Sequence, residues 1–188
     1  MMMKIQETTF QGVYLLRPTI WEDSRGYFFE SFNLRSLKDV HAENLWVQDN
    51  EARSVRGVLR GLHYQIEPMA QTKLLRVIAG EILDIVVDIR EDSQTYGKHF
   101  KIRLTGKNKT QILIPPGFAH GYLVMSDEAI VNYKCNQYYS EAHQASIRFD
   151  DPFLNIDWEL PYDTYILSEK DREAPYWDYR RKGTSNHD

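Results

Sequence analysis

The chain reads as all-β, in the jelly-roll class, with a few short helices. Three observations predict this. Short β-rich apolar runs recur along the 188 residues, punctuated by Gly and Pro turns. Helical spacing is confined to Leu34 to His41, where Leu34, Leu37, Lys38 and His41 fall on one face. Finally, Ile82, Leu83, Ile85, Val86, Val87 and Ile89 make a nearly continuous apolar run broken by Asp84 and Asp88, as suits a strand covered on both faces.

The elements follow in order. Gly12 to Pro18 is short and β-rich, and Tyr27 to Phe32 is dense in aromatic rings. Strand alternation there buries one or two rings and leaves Phe28 outside; a purely structural cluster is the other reading. Val58 to Gln65 is strand-like. Leu74 to Ile78 and Glu81 to Arg90 flank Ala79-Gly80, which reads as a hairpin turn. Phe100 to Leu104 alternates and precedes the polar turn Thr105 to Lys109. Gln111 to Ile114 then stops at Pro115-Pro116-Gly117, and Ala119 to Met125 and Ile130 to Cys135 read as another pair. After Asp151-Pro152 the texture turns irregular and polar, and residues 177–188 read as a flexible tail. With no internal repeat, residues 1–188 are read as one domain.

A net charge of −4 argues against bulk nucleic-acid or anionic-membrane binding, while leaving room for a small basic pocket for one phosphorylated ligand. The single cysteine, Cys135, cannot form an internal disulfide; it reads as a small buried hydrophobe and asks for no oxidising compartment. No stretch reaches the about 18 apolar residues of a membrane span. The opening MMMKIQETTFQG lacks the apolar run of a signal peptide. A cytoplasmic protein without a membrane or nucleic-acid partner is expected.

Three stretches carry candidate chemistry: Gly57-Val-Leu-Arg-Gly-Leu-His63-Tyr-Gln65, Gln71-Thr-Lys73-Leu-Leu-Arg76-Val-Ile-Ala-Gly80 and Pro115-Pro-Gly-Phe-Ala-His120-Gly. The third matches the second cupin motif, P-x-G-x-x-H, and the first resembles the first cupin motif, G-x5-H-x-H followed by Glu. The fold this implies is the cupin-type double-stranded β-helix. Metal-binding cupins use these His and the Glu as ligands. Here Gln65 stands at the second His position and Lys73 stands in place of the acidic ligand, seven residues before Gly80. A cation cannot ligate and repels a divalent ion, and two His are too few, so no metal site is expected.

Without a metal, this set suits proton transfer beside a carbonyl. A His, with an ordinary pKa of about 6.5, is a base matched to neutral pH. Lys73 can stabilise an enolate oxygen, and Tyr133, in Val-Asn-Tyr-Lys-Cys, is a candidate acid for reprotonation from the opposite face.

VLRGLHYQ, QTKLLRVIAGEILDIVVDIR, IPPGFAHGY, NYKC and LSEKD together resemble the dTDP-4-dehydrorhamnose 3,5-epimerase family from about residue 4 to residue 176. The resemblance implies an isomerase that inverts C3 and C5 of a dTDP-linked 4-keto-6-deoxyhexose, with no cofactor. It implies His63 as base, Asp171 as the carboxylate paired with it, Lys73 as enolate stabiliser and Tyr133 as acid. It further implies His120 near the sugar and Arg60 at the diphosphate. Arg25, Phe28 and Glu30, their neighbours Gln48 and Asn50, and the second pocket tyrosine, Tyr139, complete the substrate contacts. In this family the nucleotide site draws on a partner subunit, so a homodimer is expected.

Blander readings stand beside these. SEKD is also the pattern of a helix cap, and Tyr133 is also an ordinary core aromatic. His41, His99 and His143 are read as structural or surface residues. Asp84 and Asp88 are read as structural, paired with arginines such as Arg76 or Arg90. Three rival functions share the scaffold: an epimerase of C3 alone, a metal-dependent cupin enzyme and a non-catalytic sugar-binding cupin.

Overall fold

The computed structural model describes residues 3–40 and 46–178; His41 and the tail from residue 179 lie outside the described residues. The predicted all-β architecture is present. One sheet has six strands in the order β1 (Met3–Glu7), β2 (Tyr14–Pro18), β10 (Gln111–Ile114), β7 (Lys73–Ala79), β12 (Glu128–Cys135) and β5 (Gln48–Val55). The other has five, in the order β13 (Gln144–Ser146), β6 (Leu59–Gln65), β11 (Phe118–Val124), β8 (Glu81–Asp88) and β9 (His99–Thr105). A small hairpin, β3 (Trp21–Asp23) and β4 (Gly26–Phe28), stands apart from both.

Period-two alternation builds the layers. Leu75, Val77 and Val131 of the first sheet meet Ile82, Val86 and Val124 of the second in the central core. The opposite face of β8, with Leu83, Ile85 and Val87, packs under the C-terminal segment on Phe149, Leu154 and Trp158. The continuous apolar run of β8 is thus a strand covered on both faces, as predicted. On the outer face of the larger sheet, Leu16, Leu74 and Leu113 pack against Leu37 and Val40. Those two residues belong to Leu34–Val40, which is a 3-10 helix.

Both expected hairpins are instead crossings between sheets. β7 pairs with β10 and β12, whereas β8 pairs with β9 and β11. β11 and β12 are likewise divided between the two sheets. A corner and a hairpin use the same turn residues, so the pattern alone does not separate them. Gly80 marks the first corner. Its φ is +78°, and a Cβ there would stand 2.0 Å from the Glu128 carbonyl oxygen. Ser126 Oγ, accepting from Glu81 N at 2.8 Å and donating to Glu128 O at 2.6 Å, ties the two corners together.

The irregular C-terminal segment is anchored. Asp151 accepts from the N–H groups of Phe153 and Leu154, and also from Trp177 N at 2.7 Å. Trp177, expected in the loose tail, therefore packs against Tyr96 and Phe153. No helix among the described residues is long and apolar enough to cross a membrane.

Candidate active site

A cavity of ≈ 290 Å³ opens between the sheets beside a second of ≈ 370 Å³. His63, Lys73, Tyr133 and Gln144 line both, so the two are lobes of one cleft. The smaller sheet supplies His63 and His120, and the larger supplies Lys73 and Tyr133. The base and acid candidates thus stand on facing walls.

β6 owes its aim to a bulge. His63 sits opposite His120, and Arg60 opposite Tyr122, so three steps on β6 face two on β11. The extra residue places both Arg60 and His63 toward the cleft, while Leu59 and Leu62 join the outer core. Gly61 allows the strands to approach: with φ +119°, a Cβ there would lie 2.5 Å from Gly121 Cα.

His63 Nε2 lies 2.5 Å from Asp171 Oδ1, across 108 residues of sequence. Asp171 opens no ordinary surface helix. In α1 (Glu169–Arg172) the Ser168 side chain caps Asp171 N, and Ser168 Oγ donates back to Asp171 Oδ2 at 2.7 Å. The capping reading of SEKD is thus realised through Ser168, and the same turn sets the Asp171 carboxylate against His63. Burial pushes the Asp171 carboxyl up, but His63, Ser168 and the Gly61 N–H together take it below its ordinary value. An ionised Asp171 favours the Nε2–H tautomer of His63, whose Nδ1 is then able to accept a proton.

On the facing wall, Cys135 pairs with Lys73 and with Gln48, and Tyr133 with Leu75 and Asn50. Alternation sends all these side chains to one face. Burial pulls the Lys73 ammonium below the usual lysine range, against the opposing influence of Cys135 and Asp84. Burial also pushes up the Tyr133 hydroxyl, reinforced by Cys135 and opposed by Arg60, so Tyr133 keeps its proton at neutral pH. Cys135 is itself buried, as expected.

Gln65, where a metal-binding cupin has its second His, is spent on the backbone. It donates to Met69 O at 2.7 Å and Tyr138 O at 3.1 Å, and accepts from Ser140 N at 2.6 Å. Asp88 pairs with Arg90 at 2.7 Å, as read from sequence. Asp84 does not pair with an arginine: its Oδ2 meets His120 Nε2 at 2.8 Å. The reason is register, since Asp84 on β8 shares the face between the sheets with His120 on the adjacent strand.

Other expected contacts divide. Gln48, Asn50 and Tyr139 line the larger lobe, where Gln48 Nε2 donates to Asn50 Oδ1 at 2.9 Å and Tyr139 N donates to Gln48 Oε1 at 3.0 Å. Arg60 lines the smaller lobe and donates to Ser54 Oγ. Arg25 and Phe28 are not brought to His63 within the chain; they border a separate surface depression on the β3–β4 hairpin. Glu30 accepts from Asn33 Nδ2 at 3.1 Å outside the cleft. At this hairpin Phe28 stands outside as expected, 65% exposed, but Tyr27 is 56% exposed as well. A two-stranded ribbon outside both sheets has no core face to offer them.

Ser168, Lys170 and Gln144 are among the lining residues that went unread in the sequence. Ser168 and Lys170 lie inside the SEKD motif itself. Gln144, whose Oε1 accepts from both Tyr139 Oη at 2.7 Å and Lys170 Nζ at 2.5 Å, belongs to no motif that would have marked it.

A buttressed imidazole, a facing phenol and a buried ammonium together suit removal and return of a proton alpha to a carbonyl. Comparisons with known proteins agree with that chemistry. Residues 7–178 match the family described as dTDP-4-dehydrorhamnose 3,5-epimerase. The enzyme of that name from Methanothermobacter thermautotrophicus is 49% identical over 167 residues, covering 88% of this chain and 90% of its own. A Legionella pneumophila 3,5-epimerase solved with dTDP-4-keto-L-rhamnose superposes with TM-score 0.88 at 43% identity, covering 93% of this chain and 92% of its own. A 3'-monoepimerase from Streptomyces bikiniensis, bound to dTDP-quinovose, superposes with TM-score 0.84 at 31% identity, covering 91% and 86%. Matched along nearly its whole described length, the chain belongs to the dTDP-4-dehydrorhamnose 3,5-epimerase family.

Proposed function

We propose that the chain inverts C3 and C5 of dTDP-4-dehydro-6-deoxy-D-glucose, giving dTDP-4-dehydro-L-rhamnose. The observation that carries this reading is the placing of His63 and Tyr133 on facing walls of one cleft that Lys73 also lines. His63 Nδ1 takes the proton alpha to the 4-keto group. The electron pair moves onto the keto oxygen, where the Lys73 ammonium stabilises the enolate. Tyr133 returns a proton to the other face of the same carbon, which inverts the centre. His63 then loses its proton to solvent, Tyr133 regains one from it, and the sequence repeats at the second alpha carbon. Every step uses side chains of this chain.

Arg60, His120, Gln48, Asn50 and Tyr139 are assigned to the sugar, diphosphate and base. Arg25, Phe28 and Glu30 are assigned to the nucleotide from across a homodimer, because the hairpin that bears Arg25 and Phe28 reaches away from its own cleft. A cytoplasmic location goes with a single, unpaired cysteine.

Inversion of C3 alone is the second reading, favoured by the fold shared with the 3'-monoepimerase. Proton NMR of chelator-treated protein with the substrate in deuterated water separates them. Deuterium at both C3 and C5 is the expected result. Deuterium at C3 alone would move the assignment to a single-centre enzyme. No exchange with nucleotide bound would refute the reading for this sugar.

A further inference from the structure

Beneath the cleft lies a second His–carboxylate pair that the proton transfers above do not use. Asp84 sits in the middle of β8, opposite Tyr122 and two residues from the Val86–His120 pair. Its neighbours on the same face, Ile82 and Val86, are both in the central core. The carboxylate is 0% exposed. One oxygen, Oδ2, is engaged by His120 Nε2 at 2.8 Å, while Oδ1 is buried with no hydrogen-bond partner among the described residues.

That arrangement is poor for stability. A buried carboxylate with one orphaned oxygen loses hydration that a single hydrogen bond does not replace, and an apolar residue at this core position would fold at lower cost. A group kept at such a cost inside a site is expected to serve the site. What it does follows from the imidazole. A carboxylate accepts, so the proton of neutral His120 is fixed on Nε2 and Nδ1 is left as an acceptor. His120 lines the cleft, so Nδ1 is the atom it has left to offer a ligand.

We propose that Asp84 is a positioning residue: it locks His120 in the Nε2–H tautomer, so that Nδ1 accepts a hydrogen bond from a sugar hydroxyl and orients the ring for attack by His63. This rests on the epimerase reading of the cleft. It also gives the two histidines, opposed across β6 and β11, parallel supports and different tasks. Asp171 readies His63 to take a proton, and Asp84 readies His120 to hold the substrate still. The same buried charge lies near enough to Lys73 to favour its ammonium form.

The test is long-range proton–nitrogen NMR of protein labelled at histidine nitrogen, with the His120 signals assigned by their loss in His120→Gln. Wild-type His120 is expected to carry its proton on Nε2, with Nδ1 bare. In Asp84→Asn the amide donates to Nε2, and the proton moves to Nδ1. Turnover should then fall roughly 10²-fold with dTDP affinity unchanged, since a wrong tautomer misplaces the substrate rather than unfolding the site. Adding Asp84→Asn to His120→Gln should cost little more.

A wild-type His120 protonated on Nδ1 would overturn the proposal, and this result needs no variant to fold. So would an Asp84→Asn enzyme within roughly twofold of wild-type turnover, or fully multiplicative losses in the double variant. Wild-type protein that exchanges neither C3 nor C5 would overturn the epimerase reading itself and this proposal with it. Exchange by wild type together with undiminished exchange by Asp84→Asn would overturn the Asp84 assignment alone.

Discussion

His63 and Phe28 are held in opposite ways. His63 lies in the middle of a central strand, 30% exposed at its side chain, and is gripped by a carboxylate that is itself only 6% exposed. Phe28 ends a three-residue strand of an isolated hairpin, touches Trp21 at 6.0 Å between ring centroids, and is otherwise open. Arg25 beside it turns its guanidinium back on Asp23. Lys109 Nζ, donating to Tyr27 Oη at 2.8 Å, ties the hairpin to the body. The cleft is therefore pre-organised by its own chain, whereas the hairpin presents rings and charge that its own chain does not cover. Proton transfer needs fixed geometry and belongs in the first region. Nucleotide contact tolerates completion by a second surface, and on the proposed assignment it falls to the second.

Variants in the two regions should separate accordingly. The largest effect is expected at the base: His63→Ala should lower turnover about 10³- to 10⁴-fold while dTDP binding persists, as steady-state rates and calorimetry would show. A large loss of dTDP affinity would mean His63 holds nucleotide rather than moving protons. Asp171→Asn should come next, at about 10²-fold in kcat, because the amide no longer enforces the Nε2–H tautomer. A rise in KM alone would contradict that role.

The pH profile sharpens the same point. Lys73 is protonated below its pKa, and burial lowers that pKa from 10.5. Activity should therefore fall as pH rises through the lowered value, about tenfold per unit. Tyr133, shifted upward, stays protonated through that range. Lys73→Arg should move the alkaline limb upward; a limb that stays in place would assign it to another group. The smallest effect is expected at the hairpin. Phe28→Ala should raise KM about tenfold, about 1.4 kcal/mol of binding, with kcat nearly unchanged. A kcat loss as large as that of Asp171→Asn would erase the distinction between the regions.

Legibility in the sequence follows the range of the interaction. Strands such as Gln111–Ile114 were readable because alternation and turn residues are local. Their partners were not: Ala79-Gly80 looks the same whether the chain folds back or crosses to the facing sheet. The cleft residues His63, Lys73 and His120 were marked by their motifs. Asp171 could be joined to His63 only through family resemblance, because no local rule spans 108 residues. Asp84 was assigned to an arginine because charge was read without register, and register supplied a histidine. Phe28 is outside as alternation implies, but Tyr27 is exposed too, because alternation also implies a core face, which a ribbon outside both sheets lacks.

The most direct test of the account is deuterium incorporation at C3 and C5 in Tyr133→Phe beside His63→Ala, read by NMR in deuterated water. With Tyr133→Phe, His63 still removes each proton but reprotonation comes from its own face, so exchange without inversion is the predicted result. His63→Ala should show neither exchange nor inversion. Exchange lost in Tyr133→Phe but kept in His63→Ala would contradict the assignment of base and acid to the two walls.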